Sequence, residues 1–350
     1  MNSKPLGFAI VGTGMIAGVH ARAINAVEGA KLVGVVSRDQ ARAQAFGEKH
    51  GGGVITSTVA AMASRDDVHV LCITTPSGAH LEPALAAIAG GKHVVIEKPL
   101  EVTVARVDEM LTAAAAANVQ IMPIFQSRFS SGARTVKAAL EAGRLGRMTL
   151  ASCHVKWFRE TTYYTGSPWK GTLKLDGGGA VMNQGIHGVD LLQWFTGLPV
   201  EVSAMKTRRV HTGIEAEDTA AAVLRFPDGA LGTIEASTAA WPGWSLRIEL
   251  CGERGSIRLE DGVITEWKFQ DEVPEDHLVR RGGAAELGSG ASNPSGISIE
   301  GHVRQIEEMV GAIRESRPLA IQGPDGRNAV ALIEALYASA ESGRPVRVEA

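Results

Sequence analysis

Between residue 6 and about residue 124, short uninterrupted apolar runs, many of them β-branched, alternate with alanine-rich stretches. The runs 8–11, 31–37, 68–73, 93–96 and 120–124 predict strands, and the stretches 16–27, 40–50, 80–89 and 104–118 predict helices. The strand runs are apolar at successive positions rather than at every second one, which is the pattern of strands covered on both faces. Strand and helix in alternation imply βαβ units and hence a parallel, doubly wound sheet.

After about residue 125 the period changes. An amphipathic helix is expected at 133–142, stopped by Gly143, then a strand at 148–158, an irregular aromatic stretch, and a helix at 179–195. Six further strands follow at 200–210, 218–226, 230–238, 246–252, 255–260 and 263–269, with Pro227-Asp228-Gly229 and the glycines of 252–255 as hairpin turns. Consecutive strands without crossover helices predict a largely antiparallel sheet, so this half is α+β. Residues 281–296 lack any period and are rich in Gly, Ser and Asn, so a loop is expected there. Two closing helices are expected at 300–315 and 326–341, the first with Val303, Ile306, Val310 and Ile313 on one stripe. The fold class is therefore α/β with two domains, a doubly wound parallel-sheet domain over 1–124 and an α+β domain over 125–350.

Composition narrows the function. The chain has 350 residues, 45% hydrophobic and 21% charged, which suits two globular domains and excludes global disorder. A net charge of -3 with no concentration of Lys and Arg gives no footprint for a nucleic acid. Cys72, Cys153 and Cys251 are far apart and lack Cys-x-x-Cys spacing, which predicts buried thiols in a reducing compartment and neither disulfides nor a zinc site. No window is apolar for long enough to span a bilayer, and the N-terminal apolar run is too short for a signal segment, so a cytoplasmic protein with no membrane contact is expected.

The first predicted strand runs into Gly12-Thr13-Gly14-Met15-Ile16-Ala17, a Gly-x-Gly-x-x-Ala turn at a strand-to-helix junction. The first glycine permits the tight turn, the second lets backbone approach a pyrophosphate, and the small Ala17 allows close helix packing. The helix N-terminus then offers free N–H groups to the phosphates. The second strand ends at Ser37-Arg38-Asp39, where an acid would select the ribose hydroxyl of NAD and an arginine the 2′-phosphate of NADP. Arg38 stands at that place and Asp39 comes late, as the cap of the next helix, so NAD(P) is expected with a lean to NADP.

The strand 93–96 leads into Glu97-Lys98-Pro99, setting a cation at the edge of the sheet where open α/β folds bind ligands. The glycine turn with His20 beyond it, Thr75-Pro76 with His80, Glu97-Lys98-Pro99, and Gly177-Gly178-Gly179 leading to Asn183-Gln184-Gly185-Ile186-His187-x-x-Asp190 together resemble the Gfo/Idh/MocA oxidoreductases. This is the family of glucose-fructose oxidoreductase and inositol dehydrogenase, and the resemblance runs over essentially the whole chain in the same order. It implies an N-terminal Rossmann domain, a C-terminal domain with a large open sheet, and NAD(P)-dependent oxidation or reduction of a sugar, cyclitol or sugar derivative. It also implies association into a homodimer or homotetramer through the exposed sheet face. The family's lysine falls on Lys98 and its histidine on His187, while a position that is often aspartate is Asn183 here. Along the cofactor the resemblance sets Gly12, Gly14, Met15, Ile16, Ser37, Arg38, Thr75, Pro76, His80, Glu97 and Lys98. The Asn183-to-His187 run looks most like sugar 3-dehydrogenases, including those of UDP-N-acetylglucosaminuronate.

The chemistry of the residues agrees with that assignment. Taking hydride from a carbinol carbon requires the hydroxyl proton to leave, so the site needs a base and a group that stabilises growing alkoxide character. His187 suits the first role, since an imidazole ordinarily titrates near pH 6.5, and Lys98 the second. Asn183 does not titrate and serves to orient substrate or His187. Asp190, three residues beyond His187, is a candidate to hold the imidazole tautomer; a metal at His187 and Asp190 lacks a further ligand nearby, and none is expected. Tyr163, Trp169 and Lys170, with Gln126 and Arg128, are candidates for the flat apolar face, hydroxyls or anionic group of a pyranose. Two other function classes share these residues: a glycosidase using NAD for transient oxidation, and a non-catalytic cofactor-binding sensor.

Overall fold

The structure is a computed structural model that describes residues 4–281 and 298–349. The loop expected over 281–296 lies outside the described residues, beyond the end of the helix Asp276–Arg281. The chain divides into two compact units, residues 1–126 with 299–327, and residues 127–298 with 328–350.

In the first unit, strands β1 (Leu6–Val11), β2 (Ala30–Val36), β3 (Val54–Thr56), β4 (Val70–Ile73), β5 (His93–Ile96) and β6 (Ile121–Pro123) form one sheet. Its order is β3-β2-β1-β4-β5-β6 with every pairing parallel. This is a Rossmann sheet, and its direction of winding reverses between β1 and β4, where such sheets open a crevice beyond the strand ends. Helices α1 (Met15–Ala26), α2 (Gln40–His50), α3 (Val59–Ala63), α4 (Leu81–Ala89) and α5 (Val104–Ala117) link the strands. Asp39 caps α2 by accepting from the Arg42 N–H, and Thr103 caps α5 by accepting from that of Arg106. Neither β3 nor α3 is visible in the sequence pattern, because β3 is a three-residue edge strand with no fully buried position.

The core of this unit sets Phe8 and Ile10 of β1 against Ala17, Ala21 and Ile24 of α1. Ile306, Met309 and Val310 of the helix Glu300–Glu315 join the same cluster, which draws on the stripe read from the sequence. That helix packs here although the sequence groups it with 125–350, since local pattern shows which side of a helix is apolar and not what covers it.

The second unit opens with α6 (Ser131–Glu141), β7 (Met148–Lys156) and the single turn α7 (Thr161–Thr165). A π-helical turn, Ala180–Gly185, then runs into α8 (Ile186–Thr196). Strands β8 (Glu201–Thr207), β9 (Thr219–Arg225), β10 (Leu231–Ser237), β11 (Arg247–Gly252), β12 (Gly255–Glu260), β13 (Val263–Phe269) and β14 (Val346–Arg347) complete it. The sheet order is β13-β12-β11-β7-β10-β9-β8-β14, with β7 and β10 parallel and the other neighbours antiparallel. Here the strands alternate: in β9, Ala220, Ala222 and Leu224 are buried while Ala221, Val223 and Arg225 are exposed. The exposed face carries Met205 (81% exposed), Val223 (53%), Leu231 and Leu150. One face is thus covered and the other open, as an α+β arrangement requires.

Cys72 and Cys153 are buried, and burial pushes the Cys153 thiol up to about 12. Cys251 is only half-buried, at the end of β11, contrary to the expectation of three buried thiols. Among the described residues no helix is long and apolar enough to cross a membrane.

Candidate active site

The glycine turn follows β1. Gly12 has φ +103, open to glycine at little cost, and a Cβ there would lie 3.0 Å from Thr74 Oγ1 and 3.1 Å from its carbonyl oxygen. Thr74 follows β4 and ties the turn down by donating from Oγ1 to the Val11 carbonyl at 2.8 Å. Gly14 is the residue before α1; no side chain caps it, no acidic residue occupies the first helical turn, and a Cβ at Gly14 would meet nothing within 4 Å. The turn therefore leaves an uncapped helix N-terminus beside open space, which fits the pyrophosphate of a dinucleotide. Met15 is exposed beside it, Ile16 is half-buried and Ala17 is fully buried.

At the end of β2, Arg38 is exposed and Ser37 half-buried. The Asp39 carboxylate accepts from Arg42 N at 3.0 Å, so it serves α2 as the sequence suggested. Thr75 donates from Oγ1 to the Ala79 carbonyl, and Pro76 precedes the short 3₁₀ turn Ser77–Ala79. His80 is buried with Nδ1 2.9 Å from the Pro99 carbonyl oxygen and Nε2 2.9 Å from that of Thr75. Burial holds its pKa below the ordinary value, so a neutral ring donates to one of these oxygens.

Glu97 and Lys98 follow β5. Glu97 is buried; its Oε1 lies 2.8 Å from His20 Nε2 and 3.3 Å from His302 Nε2, and its Oε2 accepts from the backbone N–H of Lys98 at 3.2 Å. Burial opposes its ionisation, but the bonds from His20 and then His302 hold its carboxyl well below the usual range. Every residue from Val94 to Glu101 is buried except Lys98, which is half-buried.

In the second unit the segment read as one helix over 179–195 is two structures. The amide N–H of Gln184 donates to the Gly179 carbonyl at 3.3 Å, the five-residue spacing of a π turn, and regular α-helix begins only at Ile186. The turn is forced by close packing. A Cβ on Gly179 would stand 1.9 Å from the Glu217 carbonyl oxygen, and one on Gly178 would stand 2.1 Å from the Tyr337 hydroxyl. The Glu217 carboxylate accepts from Gly179 N at 3.1 Å and Val181 N at 2.8 Å, while Tyr337 donates to the same carboxylate at 2.8 Å. Single π turns of this kind are frequent at functional sites. One residue breaks the cover here too: from Ala180 to Gln193 all are buried except the half-buried His187.

Asn183 is buried, donating from Nδ2 to Asp176 Oδ1 in a short hydrogen bond and accepting at Oδ1 from Gln184 Nε2 at 2.6 Å. Gln184 in turn accepts from Arg159 Nε at 3.0 Å and Nη2 at 2.6 Å, and its Nε2 is 2.9 Å from the Tyr163 hydroxyl. Burial, with the Asp176 carboxylate nearby, pushes the Tyr163 phenol up to about 12, so it stays protonated. Lys170 Nζ sits 3.6 Å from the centre of the Tyr163 ring. Asn183, Tyr163 and Lys170 thus belong to one polar cluster. Arg159, Gln184 and Asp176 complete it, and sequence reasoning gave them no role; Gln184 stands within the Asn183-to-His187 run, but nothing in the pattern marks Arg159.

Trp169 is half-buried, and its carbonyl accepts from Thr172 Oγ1. Gln126 and Arg128 lie in the single 3₁₀ turn Gln126–Phe129. Arg128 is buried and forms a two-point ion pair with the buried Asp190, from Nε at 2.8 Å and Nη2 at 2.6 Å. Asp190 also accepts from Gln193 at 3.2 Å.

A Rossmann sheet with an uncapped glycine turn, joined in one chain to a mostly antiparallel sheet that carries a buried polar cluster, defines a two-unit NAD(P)-binding oxidoreductase. Residues 6–125 match the oxidoreductase family with an NAD-binding Rossmann fold, and residues 133–258 match the GFO/IDH/MocA C-terminal domain. The chain belongs to this Gfo/Idh/MocA oxidoreductase family. It is similar to myo-inositol 2-dehydrogenase of Thermotoga maritima, at 27% identity over 349 residues that cover 97% of this chain and 98% of the relative. Among solved structures it resembles the WlbA dehydrogenase of Bordetella pertussis in complex with NADH and UDP-GlcNAcA, at 30% identity and a TM-score of 0.89, covering 100% of this chain and 99% of that one. The corresponding WlbA of Chromobacterium violaceum is 28% identical with the same TM-score, covering 100% and 97%.

Proposed function

We propose that this enzyme transfers hydride between NAD(P) and a hydroxyl-bearing carbon of a sugar, cyclitol or sugar derivative, with Lys98 and His187 handling the hydroxyl proton. The observation that carries this reading is the same in both units: Lys98 and His187 are each the one accessible side chain in a segment otherwise buried. A flexible ammonium and an imidazole kept in reach of solvent by rigid carriers are what proton transfer to a bound molecule needs. When bound, the nicotinamide accepts or returns the hydride. Lys98 stabilises the developing alkoxide by its charge, and His187 takes the proton as base and gives it back in the reverse direction. Asn183 orients the ligand from a fixed pose, since Asp176 and Gln184 determine which way its amide faces. Tyr163 offers a flat ring, with Lys170 over it, for a pyranose and any anionic substituent.

Arg38 at the end of β2, with Asp39 committed to α2, supports NADP as the preferred cofactor. The NADH in both WlbA structures supports NAD. The outward face of the large sheet, with Met205, Val223, Leu231 and Leu150 exposed, supports association with a second copy of the chain. The test is absorbance at 340 nm with NAD and NADP against a panel of myo-inositol, free hexoses, hexuronates and UDP-sugars. Turnover with at least one polyol or sugar is expected; no change with any member of the panel overturns the assignment. Release of a glycoside without net reduction would select the glycosidase reading instead.

A further inference from the structure

His20, Glu97 and His302 converge from three separate parts of the chain: α1, the end of β5 and the helix Glu300–Glu315. All three are buried, and their rings and carboxylate form the one group of three potential metal-ligating side chains among the described residues. Both imidazole Nε2 atoms face the same Glu97 oxygen, at 2.8 and 3.3 Å. Both Nδ1 atoms are buried with no hydrogen-bond partner.

That last detail discriminates between two uses of the cluster. A metal would take the Nε2 lone pairs and leave the ring protons on Nδ1, where metal-bound histidines normally donate to a second acceptor; neither ring has one here. With the protons on Nε2, both rings donate to Glu97 and each Nδ1 keeps only an unused lone pair, a smaller loss than a buried donor without a partner. The cluster is therefore a hydrogen-bonded carboxylate. Its other oxygen, Oε2, accepts from the backbone N–H of Lys98. On the far side of Lys98, the Pro99 carbonyl oxygen lies 2.9 Å from Nδ1 of His80, whose neutral ring donates either to it or to the Thr75 carbonyl. Glu97, next to Lys98, is thus held by two buried imidazoles.

We propose that His302 and His20 are positioning residues for Lys98: by holding the Glu97 carboxylate, they fix the backbone from which the catalytic ammonium extends. This rests on the reading of Lys98 given under Proposed function. A lysine side chain has four rotatable bonds, so its reach is defined only as well as its backbone, and a displacement of about 1 Å can cost a reaction about 10²-fold.

The test compares two polar replacements that differ in reach. Gln at 302 sets an amide N–H near the place of Nε2, while Asn is too short. His302→Gln should keep kcat within about threefold of the parent, and His302→Asn should lower kcat by about 10- to 100-fold, with KM for cofactor and sugar changed by less than about threefold in both. His20→Gln and His20→Asn should behave the same way. The assay uses whichever sugar of the 340 nm panel is turned over, with melting temperature and cofactor affinity measured alongside. Parental kcat in His302→Asn while Lys98→Ala is inactive overturns this proposal alone; parental kcat in Lys98→Ala removes the role of Lys98 and this proposal with it. Should His302→Asn not fold, a folded, cofactor-binding His302→Gln that has lost kcat overturns the proposal. So does near-equimolar zinc in the purified parent that is lost in His302→Gln.

Discussion

In the first unit, Lys98 leaves a parallel strand covered on both faces, and the backbone beside it is tied by hydrogen bonds from His20 and His302 to Glu97. In the second, His187 follows a π turn with backbone pressed against backbone, Gly179 against the Glu217 carbonyl, and Gly188 just beyond His187 is packed against the side chains of Cys153 and Val155. Both carriers are buried and both expose one side chain. Each is held by a buried carboxylate, Glu97 in the first and Glu217 in the second, and the second adds glycines that leave no room for a side chain. A buried carboxylate can be disturbed by pH or by removing a donor, whereas a glycine contact is disturbed only by adding volume.

The largest effects should come from the two half-buried groups themselves. Lys98→Ala is expected to lower kcat by about 10²-fold or more while cofactor affinity stays within about threefold, as steady-state rates and cofactor fluorescence titration would show. His187→Ala should cost about 10²-fold at pH 7 and clearly less at pH 9, where solvent hydroxide substitutes for the base; a loss equal at both values would leave the imidazole no part in proton transfer.

The next pair separates the second carrier from the glycine turn by volume. Gly179→Ala should destabilise the fold by about 1–3 kcal/mol, since its Cβ would overlap the Glu217 carbonyl, and should lower the melting temperature. Gly14→Ala should leave the melting temperature unchanged, because its Cβ meets no protein atom within 4 Å, yet weaken cofactor binding by about tenfold. An unchanged cofactor affinity would show that the glycine turn does not approach the pyrophosphate.

Acidity probes the first carrier. The Glu97 carboxyl is held well below its ordinary value of 4.5 in the folded state. Its contribution to stability is therefore present above pH 4.5 and is lost as pH falls through the lower folded value. Glu97→Gln should be less stable than the parent at pH 7, with the gap closing under acid; a gap that widens under acid would mean the carboxyl is neutral in the native protein. The smallest effect is expected at the cofactor's edge: Arg38→Ala should weaken NADP binding about tenfold and leave NAD nearly unchanged, and equal changes in both would remove the case for NADP.

The two units also differ in how much of them the sequence exposes. Five of the six Rossmann strands, the glycine turn and Glu97-Lys98-Pro99 are each a short continuous stretch of chain, so hydrophobic runs and short motifs mark them directly. The Asn183-to-His187 run also stands out as a motif in the sequence, but its helix was not legible as a π turn followed by an α-helix, because that break depends on Glu217 and Tyr337, which lie far along the chain. Arg159 carries no sequence signal, since an arginine in an aromatic stretch looks the same whether it is solvated or, as here, bonded to Gln184.

By itself, the sequence determined the alternation that makes a parallel sheet, the change of period that makes an antiparallel one, and the side chains able to move a proton, because periodicity and residue chemistry are local. Only the tertiary structure decided that His302 shares a carboxylate with His20, that Arg128 belongs to Asp190, and that Asn183 is fixed by Asp176. Such pairings depend on which distant segments are buried together. A buried charge or amide must find its partner among the groups that folding brings near it, whatever their separation along the chain.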